Sequence, residues 1–174
     1  MSKNVNNIVE FTLLFNKYKK RLYNYVLKMT ADRMSTDDII QEVFIKLYGN
    51  LELIRNKQSV QYWLFKTARN EFFTLARNTK LKKLYEEAED SDELEIEDTI
   101  SLENELEQKE LAKLITDELD KIQIDQREIF ILKEYSGLTY KEIASLMEID
   151  IEDVKSRLYK VRQKLIKRIS KLIN

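Results

Sequence analysis

Between Val154 and Asn174 the chain carries eight basic residues, Lys155, Arg157, Lys160, Arg162, Lys164, Lys167, Arg168 and Lys171, and no acidic one. Charge of one sign at that density suits a phosphate backbone. A basic end that only complements a helix dipole needs its charges within the final turn, whereas these span about five turns. Val154, Leu158, Val161, Leu165, Ile169 and Leu172 recur at steps of three and four and so share one helical face. Glu152, Ser156, Tyr159 and Gln163 then point the opposite way, with Lys155 and Lys160 beside them. A face that reads a DNA groove needs this mix. Lys155 can reach a guanine edge or a phosphate, Ser156 can pair with either, and Tyr159 offers its ring to a thymine methyl or its hydroxyl to the backbone.

A second set lies upstream. Trp63, Lys66, Asn70, Phe73 and Arg77 recur at three- and four-residue steps, with Tyr62 and Arg69 at the margins. Rings interleaved with cations suit single-stranded nucleic acid, because unpaired bases stack on rings while Lys and Arg follow the backbone. Without the rest of the chain, the same stripe reads more readily as a helix–helix interface. A third set, Asp38, Gln41 and Glu42 with Ile45 one turn on, reads either as a solvated acidic face or as a docking patch for a basic helix of another protein.

What is missing removes whole classes of chemistry. With no Cys and no His among 174 residues, there is no thiolate or imidazole metal site, no cysteine nucleophile and no Ser-His-Asp triad. The only glycines are Gly49 and Gly137, too few for a phosphate-cradling loop. Only carboxylate catalysis is left open, and the expectation is a protein with no catalysis, cofactor or metal of its own. The start, MSKNVNNIVEFTLLF, lacks the continuous apolar core of a signal peptide, and no run approaches the ~20 apolar residues of a membrane span. A cytoplasmic protein without membrane insertion is expected.

The elements that must position these residues are helices. Zero Pro, two Gly and abundant Leu, Ile, Lys and Glu give an all-α expectation. Leu14, Tyr18, Leu22, Tyr25, Val26 and Met29 mark a first helix over about 8–30. Ser35 or Thr36 is the expected cap of a second helix, with Asp37 and Asp38 in its first turn, Ile39, Ile40, Val43, Phe44 and Leu47 inside and Gly49 at its end. Residues 50–58 form a polar connection, and Ser59 is expected to cap a third helix with Leu64, Ala68, Phe72 and Leu75 inside. Downstream, Asp125 with Glu128, Thr139 with Glu142, and Asp150 with Asp153 read as three successive capping pairs. The first opens a helix with Ile129, Ile131 and Leu132 inside, stopped by Gly137; the second opens a short helix burying Ile143, Ala144 and Met147. A short helix, a turn and a long helix from about Ile151 make a helix-turn-helix.

Charge divides the chain. Residues 1–85 hold 16 bases and 7 acids, residues 86–110 hold 1 and 13, and residues 111–174 hold 13 and 11. The expectation is two small helical domains, 1–85 and 111–174, joined by an acidic linker over 86–110 whose tail turns helical from Ser101.

Three segments in this order, DDIIQEVFIKLY at 37–48, YWLFKTARN at 62–70 and GLTYKEIASLMEIDIEDVKSRLYKVRQKL at 137–165, resemble the sigma-70 superfamily of bacterial RNA polymerase sigma factors, in its two-domain extracytoplasmic-function (ECF) form. The resemblance implies a sigma-two domain that binds core polymerase and the promoter minus-ten element, and a sigma-four domain that binds the minus-thirty-five element. It puts Asp38, Gln41, Glu42 and Ile45 against the beta-prime clamp helices. It puts Tyr62, Trp63, Lys66, Arg69 and Asn70 on the helix that opens the minus-ten duplex, and Arg55, Asn56 and Lys57 in the loop that pockets a flipped-out base. Lys155, Ser156, Arg157, Tyr159, Lys160 and Arg162 fall in the major-groove helix. The partners implied are core RNA polymerase, through its clamp helices and beta flap, promoter DNA, and an anti-sigma factor that no residue here identifies. In the family the acidic linker would run through the polymerase active-site cleft. Glu152 and Asp153 stand where the family commonly has Gly-Thr; acids there suit a helix N-terminus, repel phosphate and can accept from a cytosine amine. The competing expectations are a stand-alone helix-turn-helix regulator, which would bind palindromic duplex without polymerase, and a helical adaptor that binds no DNA.

Overall fold

The computed structural model describes residues 2–54, 56, 59–83 and 105–174, which fall into two compact helical units, one on either side of the stretch 84–104. All regular structure among them is helical. The first unit is a three-helix bundle of α1 (Ser2–Thr30), α2 (Arg33–Asn50) and α3 (Val60–Lys83), each packed on the other two. Tyr18, Leu22, Tyr25, Val26 and Met29 of α1 meet Ile39, Val43, Phe44 and Leu47 of α2 and Leu64, Phe65, Ala68 and Phe72 of α3 in its core. Burying a Leu, Val or Phe side chain in this way contributes about 1.5–3 kcal/mol each. Two polar links set the helix register: Arg21 donates to Gln61 at 3.1 Å, and Lys46 pairs with Glu71.

Several helix ends differ from the sequence expectation. α1 begins at Ser2 rather than near residue 8. The cap of α2 is Asp32, whose carboxylate accepts from the Ser35 amide at 2.9 Å and from the Ser35 hydroxyl; these bonds hold the Asp32 carboxyl below the usual carboxylate range. Ser35 is therefore the donor to the cap, and Thr36 is buried, its hydroxyl donating to the Asp32 carbonyl at 2.7 Å. Asp37 and Asp38 consequently sit beyond the first turn. Gly49 lies inside α2, which runs on to Asn50. Ser59 precedes α3, but its hydroxyl donates backward to the Asn56 carbonyl at 2.6 Å.

The second unit comprises α4 (Glu105–Asp120), α5 (Ile124–Phe130), a π-helical turn (Ile131–Tyr135), α6 (Tyr140–Met147) and α7 (Ile151–Ile173). Residues 105–110, assigned to the linker by charge, are the first turns of α4. Leu119, Ile122, Val161 and Leu165 form one core cluster, and Val154 and Leu158 extend the buried stripe of α7. Leu172 at the end of that stripe is exposed, since α7 outruns its neighbours. Leu146, not Met147, fills the core beside Ile143 and Ala144.

Of the three expected capping pairs only one forms. Thr139 and Glu142 make a full capping box: the Thr139 hydroxyl accepts from the Glu142 amide at 3.2 Å, and the Glu142 carboxylate accepts from the Thr139 amide at 2.7 Å. Asp125 lies inside α5, which starts after Gln123 without a side-chain cap, and Glu128 is fully buried. Asp150 takes the N-cap position of α7 but makes no capping bond. Gly137, at φ 68°, takes the left-handed conformation that lets the chain turn from the π-helical turn toward α6. Thr139→Ala is expected to cost about 1 kcal/mol of stability, read as a lowered urea midpoint of the full chain; an unchanged midpoint would mean that the box contributes nothing.

Candidate nucleic-acid interface

α6 and α7 form the helix-turn-helix. Glu148 closes α6 in the left-handed conformation at φ 57°, and the Ile149 amide bonds back to the Ala144 carbonyl at 3.0 Å. This tight turn sends α7 off with its apolar stripe inward, leaving Glu152, Lys155, Ser156, Tyr159, Lys160 and Gln163 exposed together. Tyr159 is 63% exposed, far more than a tyrosine kept for packing.

The bases of α7 divide into two groups. Arg157 pairs with Asp125 at 3.7 Å, and Arg168 pairs with the buried Glu118 of α4 at 3.7 Å. Arg162 bonds Glu134 through Nε at 3.0 Å and through Nη2; this bonding to Glu134 raises the guanidinium pKa further above its ordinary value. Lys164 donates to Gln126 at 2.8 Å. Of the six residues expected to contact the minus-thirty-five element, Arg157 and Arg162 thus spend part of their donor capacity bracing α7 on its own unit. Lys155, Ser156, Tyr159 and Lys160 project from the unit, and Lys160 makes no ion pair among the described residues. Tyr140, at the start of α6, went unnoticed in the sequence. Its ring lies 4.6 Å from Lys133 Nζ and 6.0 Å from Lys155 Nζ, which extends the basic surface from α7 onto the turn before α6. The available signal was an aromatic at the first position after the Thr139 cap.

On α3, Arg69, Tyr62, Phe73, Lys66, Arg77, Asn70 and Trp63 occupy one side, opposite the buried Leu64, Phe65, Ala68 and Phe72. Tyr62 and Asn70 are exposed and Trp63, Lys66, Arg69 and Phe73 are half-buried. Arg69 stacks over Phe73 at 4.7 Å, and Phe73 meets the buried Phe72 edge-on at 5.1 Å. Asn56 is exposed just before α3. Arg55 and Lys57 lie outside the described residues.

On α2, Asp38, Gln41, Glu42 and Ile45 form one exposed strip, with Ile45 58% exposed. Glu42 pairs with Lys46 at 3.6 Å. Beside the strip runs an apolar groove lined by Phe11 and Phe15 of α1 and Ile40, Phe44, Ile45 and Tyr48 of α2. Its rings pack edge-on, Phe11 on Tyr48 at 5.4 Å and Phe15 on Phe44 at 4.7 Å. The sequence reading missed this groove. Its signal was the pair of i, i+4 aromatics, Phe11 with Phe15 and Phe44 with Tyr48, too many large rings for one bundle end to cover. No described helix is long and apolar enough to cross a membrane.

Residues 14–81 match the family model for sigma-70 region 2, and residues 105–165 match that for sigma-70 region 4. The chain is 28% identical over 169 residues to the ECF RNA polymerase sigma-E factor of Haemophilus influenzae, covering 94% of this chain and 89% of that protein. It is 29% identical over 154 residues to the ECF RNA polymerase sigma factor SigM of Bacillus subtilis, covering 87% of this chain and 90% of that one. Its fold is that of the sigma factor RpoE solved in complex with the anti-sigma factor NepR from Bartonella quintana (TM-score 0.77, 20% identity, 92% of this chain and 97% of that). CnrH, solved with the cytosolic domain of CnrY, is similar at a TM-score of 0.66 and 19% identity, over 92% of this chain and 87% of that. A stand-alone helix-turn-helix regulator or a helical adaptor would leave the region 2 match, and the aromatic and acidic faces carried within it, without a counterpart. Two region models in their family order, with relatives matched over nearly their whole length, mean that the chain belongs to the sigma-70 family of RNA polymerase sigma factors, as a member of the ECF type.

Proposed function

We propose that this chain binds core RNA polymerase through the acidic strip of α2, holds melted minus-ten DNA on the aromatic–basic face of α3, and reads the minus-thirty-five element with α7. The observation that carries this reading is the partition of α7: Arg157, Arg162 and Arg168 tie the helix to its own unit, while Lys155, Ser156, Tyr159 and Lys160 are left facing outward. The unit that binds polymerase and the minus-ten element is 1–85, the reader starts with α4 at Glu105, and the acidic stretch between them joins the two. Melting here is capture: bases that open transiently are held by stacking, and the core enzyme does the chemistry. The chain works where polymerase and DNA are, in the cytoplasm, with the beta flap as a second contact. The sigma factor RpoE, similar in fold and solved with the anti-sigma factor NepR, supports one as a further partner.

The test is run-off transcription and permanganate footprinting with purified chain and core polymerase on genomic fragments. Polymerase-dependent opening at a selected promoter is expected; duplex binding without any affinity for core would overturn the reading. Within it, the K155A/Y159A double variant is expected to weaken promoter binding by roughly tenfold or more and to change minus-thirty-five preference. Unchanged footprints would remove both residues from the interface.

A further inference from the structure

The first turns of α7 hold a polar pair whose spacing matches a base-pair edge. Glu152 Oε1 and Lys155 Nζ lie 3.1 Å apart; the Glu152 side chain is 84% exposed and that of Lys155 48% exposed. They share the outward face with Ser156 and Tyr159. Resting on the proposal that α7 enters the major groove, the geometry points to Glu152 and Lys155 acting together as a reader of one G·C pair. In that groove a G·C pair shows guanine N7 and O6 as acceptors and cytosine N4 as a donor. O6 and N4 are themselves hydrogen-bonded, hence about 2.9 Å apart, close to the spacing of the protein pair.

An ammonium has three donors. One is spent on Glu152, which leaves two for O6 and N7 of the same guanine. The Glu152 carboxylate, acceptor only, takes the N4 proton of the paired cytosine. An A·T pair also places a donor beside an acceptor. With Lys155 on thymine O4, however, the next group outward is the thymine methyl rather than a second acceptor, so one ammonium bond is lost. Each charge keeps its partner throughout, so neither is stranded when water leaves the interface. The carboxylate also excludes phosphate from this end of α7, which confines Lys155 to base edges rather than the backbone.

The test uses holoenzyme reconstituted from the full chain and core polymerase, with a duplex library randomised across the upstream promoter element. The expected result is one position at which G·C is favoured over A·T by roughly 5- to 150-fold. K155A should collapse that preference; E152A, which frees the ammonium to follow guanine to either strand, should lose the distinction between G·C and C·G at that position while leaving the other positions unchanged, and E152Q, which keeps an oxygen acceptor, should retain part of that distinction. If E152A keeps the same preference at every position, or merely binds all sequences more tightly by one common factor, Glu152 acts only as a charge and the pair reading falls. If the wild-type holoenzyme enriches no upstream element at all, it is the promoter-reading role of α7 that fails.

Discussion

D38K/E42K is expected to lower the affinity of the chain for core RNA polymerase by roughly 100-fold, since like charges brought together across an interface cost several kcal/mol. Asp38 and Glu42 stand on the exposed side of α2, and neither contributes to the bundle core. Reversing Glu42 removes its ion pair with Lys46, but Lys46 keeps Glu71 on α3, so the link between the two helices survives. The fold should therefore be intact. Circular dichroism and thermal melting should match the wild type, and α7 should bind duplex DNA as before. Affinity measured by anisotropy of a labelled chain titrated with core enzyme would read the loss directly. Wild-type affinity in the double variant would mean that the acidic strip is only a solvated face, and a parallel loss of helicity would mean that α2 had been damaged.

How much was legible depended on whether the deciding interaction is local. Thr139 and Glu142 satisfy each other within one turn, so their spacing alone announces the start of α6. Asp125 and Glu128 have the same spacing and form no cap, because α5 starts two residues earlier, with Gln123 at the cap position, and Glu128 is drawn into the core. Nothing in a four-residue pattern distinguishes these cases; packing on α7 does. Asp32, Ser35 and Thr36 are all capping types, and only the backbone shows that Asp32, extended at φ −143°, is the cap. The π-helical turn over Ile131–Tyr135 has no sequence signature either, and it shifts the face on which Glu134 reaches Arg162. The exposed faces were legible for a simple reason. The stripes of α2, α3 and α7 follow from helical periodicity once the apolar side is known, and the bundles bury those sides. Periodicity does not tell which cations are held by acids from other helices. Arg157 and Arg162 looked equivalent to Lys155 and Lys160 along the sequence, yet their partners Asp125 and Glu134 lie on other elements of the unit.

Replacing Trp63 with Ala is expected to reduce promoter opening while leaving the initial complex with duplex DNA in place. Trp63 is half-buried at the edge of the α3 face, beside Lys66 and Asn70, with part of its ring open to solvent. A ring so placed can hold an unstacked base, and losing one such stack costs about 1–3 kcal/mol, or roughly 5- to 150-fold in the ratio of open to closed complex. Permanganate reactivity of unpaired thymines reads the open state, and DNase protection upstream reads the closed one. The two should separate, with protection retained and reactivity lost. W63F should recover much of the opening because it keeps a stacking face, whereas N70A should lose opening without losing a ring. The residues on α3 left two readings standing, a base-stacking face or a helix–helix interface, and this comparison decides between them. If Trp63 serves only packing, W63A lowers the melting temperature of the chain and reduces protection and opening together, and N70A, at an exposed position, does nothing.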